Sequence, residues 1–127
     1  MSFTAASPQS GQEHIQWIKD LDFYKDDLKI LSHRLEEIVK KNNSHEVMAE
    51  VEHFQNQFII QRNNIDELKH TIGLHTTEVA QEMKEHAGRI KNSSAVEHHE
   101  IKDQVISVEK SIQDLRREFN LFLSKWM

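Results

Sequence analysis

The chain is predicted to be all-α, an antiparallel bundle of long helices with heptad-like packing, and two features of its 127 residues carry that expectation. Apolar residues recur at alternating spacings of four and three through three long stretches. That alternation puts one side chain per helical turn on a single seam, as helices packing lengthwise on one another require. Breakers are also scarce: there are three glycines and one proline, and Pro8 and Gly11 fall at the very start, leaving the remainder little turn or strand punctuation.

Residues 1–11, MSFTAASPQSG, are small and polar and read as a flexible leader before a single helical domain over 12–127. The first helix is expected from Gln12 to about Lys41, with Trp17, Leu21, Tyr24, Leu28, Leu31, Leu35 and Ile38 on its seam. Lys40 and Lys41 suit the negative end of its dipole. Asn42, Asn43 and Ser44 supply a turn, and Asn43 with Glu46 has capping-box spacing.

The second seam runs Val47, Val51, Phe54, Phe58, a polar Gln61, Ile65, Leu68 and Ile72. It then meets Thr71, Gly73, Thr76 and Thr77, weak helix formers that each cost about 0.5–1 kcal/mol relative to alanine. The preferred expectation is a break there, with Thr76 or Thr77 capping a shorter helix over Glu78–Lys91 and four helices running up-down-up-down. The alternative is three long helices with a continuous central helix from Ser44 to Lys91, roughly 70 Å long at 1.5 Å per residue, because His75 and Val79 keep the seam in phase.

Ser94 with Glu97 makes a capping box for the last helix, Ala95 to about Lys125. Its seam is Ile101, Val105, Val108, Ile112, Leu115, Phe119, Phe122 and Trp126. In an up-down-up-down bundle this end lies beside the start of the first helix. Trp17 and Tyr24 would then join Phe119, Phe122 and Trp126 in one aromatic layer.

Composition narrows the function. Sixteen basic against 21 acidic residues give a formal charge of -5, the wrong sign for a protein whose main partner is a nucleic-acid backbone. No stretch approaches the roughly 20 apolar residues of a transmembrane helix, and neither a signal peptide nor a lipidation motif is expected. The absence of cysteine excludes disulfides and thiolate chemistry and fits a cytoplasmic setting. No nucleophile elbow, phosphate loop or dinucleotide fingerprint occurs, so the chain reads as non-enzymatic and without a cofactor.

Nine histidines are the most plausible carriers of chemistry. Glu50 with His53 and Glu67 with His70 have the Glu-x-x-His spacing of di-iron bundles, but the seam through Val51, Phe54, Ile65 and Leu68 places both pairs on outer flanks. His33 and Glu37 also point away from the seam. Four histidines, His14, His75, His86 and His98, instead occupy extrapolated seam seats near helix ends. In four helices His14 and His75 would share one end and His86 and His98 the other. Paired imidazoles there suit a divalent metal or a pH-sensitive latch.

Surplus apolar residues point to association. Phe23 and Ile30 face away from the first seam, Ile59, Ile60 and Leu74 extend beyond the second, and Leu121 and Leu123 flank the third. A stripe of roughly 100° suffices for one packed face, so the excess marks a homodimer contact or a helical protein partner. The leading expectation is thus a protein acting by association, with a metal-binding bundle as the alternative.

Overall fold

The computed structural model describes residues 2–42 and 44–126. The chain is overwhelmingly helical: strand β1 (Phe3–Ala5) precedes α1 (Ser10–Lys41) and α2 (His45–Glu85), and strand β2 (Arg89–Lys91) leads directly into α3 (Asn92–Trp126). Among the described residues no helix is long and apolar enough to cross a membrane.

The expected break at Gly73 does not occur. α2 runs through it for 41 residues, about 60 Å at 1.5 Å per residue, and ends at Glu85 rather than Lys91. The hydroxyls of Thr76 and Thr77 donate back to the carbonyls of Ile72 and Gly73, at 2.8 and 3.1 Å, so neither is free to cap a new helix. Ile72, His75, Val79 and Glu82 are all buried. Burying a side chain such as Ile72 or Val79 contributes about 1.5–3 kcal/mol, enough to outweigh the local propensity cost. The four-helix arrangement is thereby replaced by three helices among the described residues.

Side-chain pairs fix their directions. Lys25 meets Asp66 at 2.6 Å and Asp22 meets Lys69, so later positions on α1 face earlier ones on α2 and the two run antiparallel. Glu118 meets His53 at 2.8 Å while Ser94 meets Glu82 at 2.9 Å, which makes α3 antiparallel to α2. His14 beside His98 and Asp27 beside Arg116 make α1 and α3 parallel. The core between them holds the expected apolar seats, with Phe119 and Leu21 fully enclosed.

This topology overturns the proposed aromatic layer. With three helices, the end of α3 lies beside the end of α1, not its start. Phe119 and Phe122 pack on Phe54, with centroids 5.1 and 5.0 Å away, and the half-buried Trp126 donates its indole N–H to Glu50 at 2.5 Å. Trp17 stands at the other end, among histidines.

The expected leader contributes structure as well. β1 pairs antiparallel with β2, Phe3 opposite Lys91 and Ala5 opposite Arg89. The turn into β2 passes through Ala87 and Gly88 at positive φ, 52° and 81°, a conformation that suits glycine and strains alanine. Behind it the buried Glu82 accepts from the Lys91 backbone N–H at 2.8 Å and from the Ser94 hydroxyl. Ser94 is therefore not in a capping box, and its expected partner Glu97 turns to His75 instead. Before α2 the observed cap is Ser44, whose hydroxyl accepts from the Val47 N–H. The alternative cap, Asn43, lies outside the described residues.

Continuity of α2 has a direct test. A Cβ at Gly73 meets nothing within 4 Å, so Gly73→Ala should raise stability by about 0.5–1 kcal/mol in urea denaturation. A neutral or destabilised variant would instead favour a break at this residue.

Candidate metal centre

Three of the four seam histidines meet at one end of the helices. His14 comes from the first turns of α1, His75 from the last third of α2 and His98 from the first turns of α3, each continuing its helix's 4-3 register. His14 and His75 are 4% and 2% exposed, and His98 is half-buried. One ring nitrogen from each lies within 4.8 Å of the others. His86 is not part of the group: it is exposed and its ring rests on Phe3, with centroids 4.4 Å apart. The expected division into two pairs at opposite ends followed from four helices and falls with them.

Hydrogen bonds assign a role to each ring nitrogen. His75 Nδ1 lies 2.5 Å from a Glu97 carboxylate oxygen. A carboxylate accepts, so Nδ1 carries the proton and Nε2 presents its lone pair. That Nε2 is the one buried side-chain polar atom among the described residues with no hydrogen-bond partner. Thr76 spends its hydroxyl proton on the Ile72 carbonyl and therefore accepts from His14 Nδ1 at 3.1 Å. His14 Nε2 is again a lone-pair nitrogen.

His98 is the adaptable member. Its Nδ1 is 3.1 Å from His14 Nε2, and its Nε2 is 3.5 Å from a Glu13 carboxylate oxygen. A proton on Nδ1 satisfies His14, whereas a proton on Nε2 serves Glu13. In the second tautomer His14 Nε2 and His98 Nδ1 face each other as two lone pairs with no donor between them, which a cation or a water molecule relieves.

Burial, followed by the neighbouring His75 and His98, pushes the His14 pKa down to about 4 against the opposing pull of Glu13. Burial also lowers His98, although Glu13 draws it upward. Both imidazoles are held neutral near pH 7, the form that ligates metals.

Trp17 packs beside the group, its ring 5.3 Å from His14 and 4.7 Å from His98 by centroid. A cavity of about 290 Å³ opens next to the imidazoles. Thr4 and Ser7 from the N-terminal segment, Val79 from α2, Ile90 from β2, and His99 and Lys102 from α3 line much of it.

The remaining sequence candidates stand apart from this group. His53 and His70 are exposed on outer flanks, as the seam requires, and so is His33. Phe23, Ile30, Leu74 and Leu121 are 60%, 58%, 61% and 72% exposed, and Ile59 and Ile60 are each 47% exposed. Leu123 is not a surface residue: at 7% exposure it belongs to the core, because the end of α3 turns it inward beside Trp126. Sequence reasoning missed Glu13, Thr76 and Glu97, although each immediately adjoins a seam histidine. It also missed Glu82, one seat beyond Val79 in the same register.

Compared with known proteins, the chain matches no family model, no curated protein and no solved structure. The residues themselves are thus the source of the functional reading.

The lowered His14 pKa makes a signed prediction for the metal-free protein. A histidine that binds protons less well when folded contributes no penalty above its unfolded pKa of about 6.5, and stability falls as pH drops toward its folded pKa of about 4. For His14 the loss between pH 6.5 and 5 should be about 1.5 kcal/mol, read as a declining urea midpoint. His14→Gln should flatten that decline, and an unchanged slope would show that His14 is not its source.

Proposed function

We propose that this chain is a metal-binding three-helix bundle in which His14, His75 and His98 hold one divalent transition-metal ion. The observation that carries this reading is the convergence of one ring nitrogen from each of three histidines, joined by a partnerless Nε2 on the buried His75. Imidazole donors suit zinc, copper, nickel or iron, and three of them in a tetrahedral set leave one position open. Zinc–nitrogen bonds of about 2.0–2.1 Å imply nitrogen separations of roughly 3.3 Å. His14 and His98 already stand at 3.1 Å, and the whole set lies within 4.8 Å. Closure requires adjustments of about an ångström or two in side chains, not movement of helices.

The surrounding groups support the same reading. Histidine ligands characteristically donate their second N–H to a carboxylate or another oxygen, which fixes the ring and raises its basicity. Glu97 is placed to do this for His75, Thr76 for His14 and Glu13 for His98. The activity proposed is binding, in keeping with the absence of any nucleophile motif in the sequence.

The experiment is metal content and thermal melting of untagged protein. One zinc or cobalt(II) per chain is expected, with stabilisation of about 2.7 kcal/mol at a hundredfold excess over Kd, roughly 10 °C in Tm for a chain of this size. His98→Asn, at the least buried ligand, should abolish the shift while leaving the melt in chelator nearly unchanged. A protein that retains no metal and melts identically with and without it would refute the reading.

Exposure of Phe23 and Ile30 favours a second reading, association into a cytoplasmic homodimer or with a helical partner. The two are one heptad apart and share a stripe on α1 that no other helix covers. On this reading the solution mass exceeds the 15.0 kDa of one chain and returns to it when both residues are changed to serine. A wild-type monomer at micromolar concentration would remove support for the dimer.

A further inference from the structure

Among the described residues the three-histidine group has no fourth protein ligand. Structural zinc sites are closed by four protein donors, whereas sites with three keep a position for water or an exogenous ligand. Among the described residues the convergent group contains His14, His75 and His98 alone. Its open side gives onto the cavity of about 290 Å³, just below the roughly 300–1,000 Å³ of ordinary ligand pockets. The space matches a small molecule in size.

Charge selects the class of that molecule. Three neutral imidazoles leave a divalent ion its full formal charge, and the carboxylates nearby are engaged in orienting the rings. Glu97 is bonded to His75, and Glu13, which also borders the cavity, faces His98 Nε2. Lys102 lines the same cavity from α3, one helical turn beyond His98. This exposed lysine enters no ion pair among the described residues, so its ammonium is free to meet an anion at the cavity mouth.

The hydroxyl of Thr4 and the imidazole of His99 add polar groups to the wall, while Val79, Ile90 and Ala95 supply apolar surface. A metal ion and an uncommitted ammonium bordering one small, partly apolar cavity are complementary to an oxyanion carrying a short apolar body.

We propose that the fourth coordination position takes a small oxyanion of the carboxylate or phosphate class, one oxygen on the metal and the negative charge shared with Lys102. This rests on the metal-binding reading above, and cobalt(II) separates the two. Tetrahedral cobalt(II) has visible bands that report its ligands, so the metal-loaded full chain is titrated with acetate, inorganic phosphate and, as an uncharged control, acetamide.

Support consists of saturable band shifts with acetate or phosphate and none with acetamide. Lys102→Gln should weaken the anion about five- to tenfold, the scale of one lost charge-assisted contact, while cobalt affinity and the melt stay as in the wild type. Response to acetate but not phosphate, or the reverse, still supports the proposal and identifies the member of the class. Bands that stay fixed up to about 50 mM of either anion, far weaker than a millimolar site, overturn it while leaving the metal reading intact. An equal response to acetamide, or an anion response that Lys102→Gln leaves unchanged, overturns it too. If cobalt fails to bind at all, the metal reading and this inference fall together.

Discussion

Carrying helical hydrogen bonding through Gly73, Thr76 and Thr77 decides how many times the chain reverses, and the location of every later residue follows. A reversal at Gly73 would send His75 and His98 to different ends of the molecule. Continuity removes one reversal between His75 and His98, so the end of α2 carrying His75 lies beside the start of α3 and the start of α1. His14, His75 and His98 occupy those three places. The threonine hydroxyls that look like caps serve α2 internally by bonding its own carbonyls. One of them, on Thr76, also takes the His14 N–H and so links the continuity of the helix to the orientation of a candidate ligand.

A second device shapes the cavity beside those ligands. Glu82 is 4% exposed, and burial alone would push its carboxyl up. The Lys91 backbone N–H, the Ser94 hydroxyl and the Lys91 charge outweigh that and hold it below the usual value. A buried carboxylate supplied with this many donors is stable where an unpaired one would be costly. It fastens the end of α2 to β2 and to the first turn of α3 at once, over only a few residues. β2 in turn pairs with β1, and that pairing brings Thr4 and Ala5 to the cavity wall. The short strands thus act as a clasp whose position depends on one glutamate.

The histidine group, like the nearby Glu82 and Ser94, departs from the apolar rule that most of the core obeys. At three adjoining seats of the helix interface, imidazoles replace the aliphatic and aromatic side chains that fill most of the seam. A well-packed leucine contributes about 1.5–3 kcal/mol on burial, whereas an orphaned buried nitrogen costs about 1–3 kcal/mol. Local rules broken without a compensating contact are characteristic of sites kept for function. The oxygen partners on the outer nitrogens and the absence of a partner on His75 Nε2 are the features on which the metal-binding proposal rests.

Much was legible in the linear pattern. The helical class, the core residues, the outward placement of His53 and His70, and the seam positions of His14, His75 and His98 all follow from 3.6-residue periodicity, which depends only on local geometry. The same periodicity seats His86 on the seam, where it is exposed because α2 ends just before it. The exposure of Phe23, Ile30, Leu74 and Leu121 follows in the same way, while Leu123 escaped it because it is buried toward the end of α1, beside Ile38 and Trp126. What periodicity cannot reach is any quantity that depends on how elements are joined. Whether Thr76 caps or continues a helix, which ends coincide, and that Glu97 turns to His75 rather than to Ser94 are decided by competition between local propensity and long-range burial. The sequence by itself therefore determined that these histidines face the interior. Only the tertiary structure, by carrying α2 through Gly73 without a reversal, decided that they face one another.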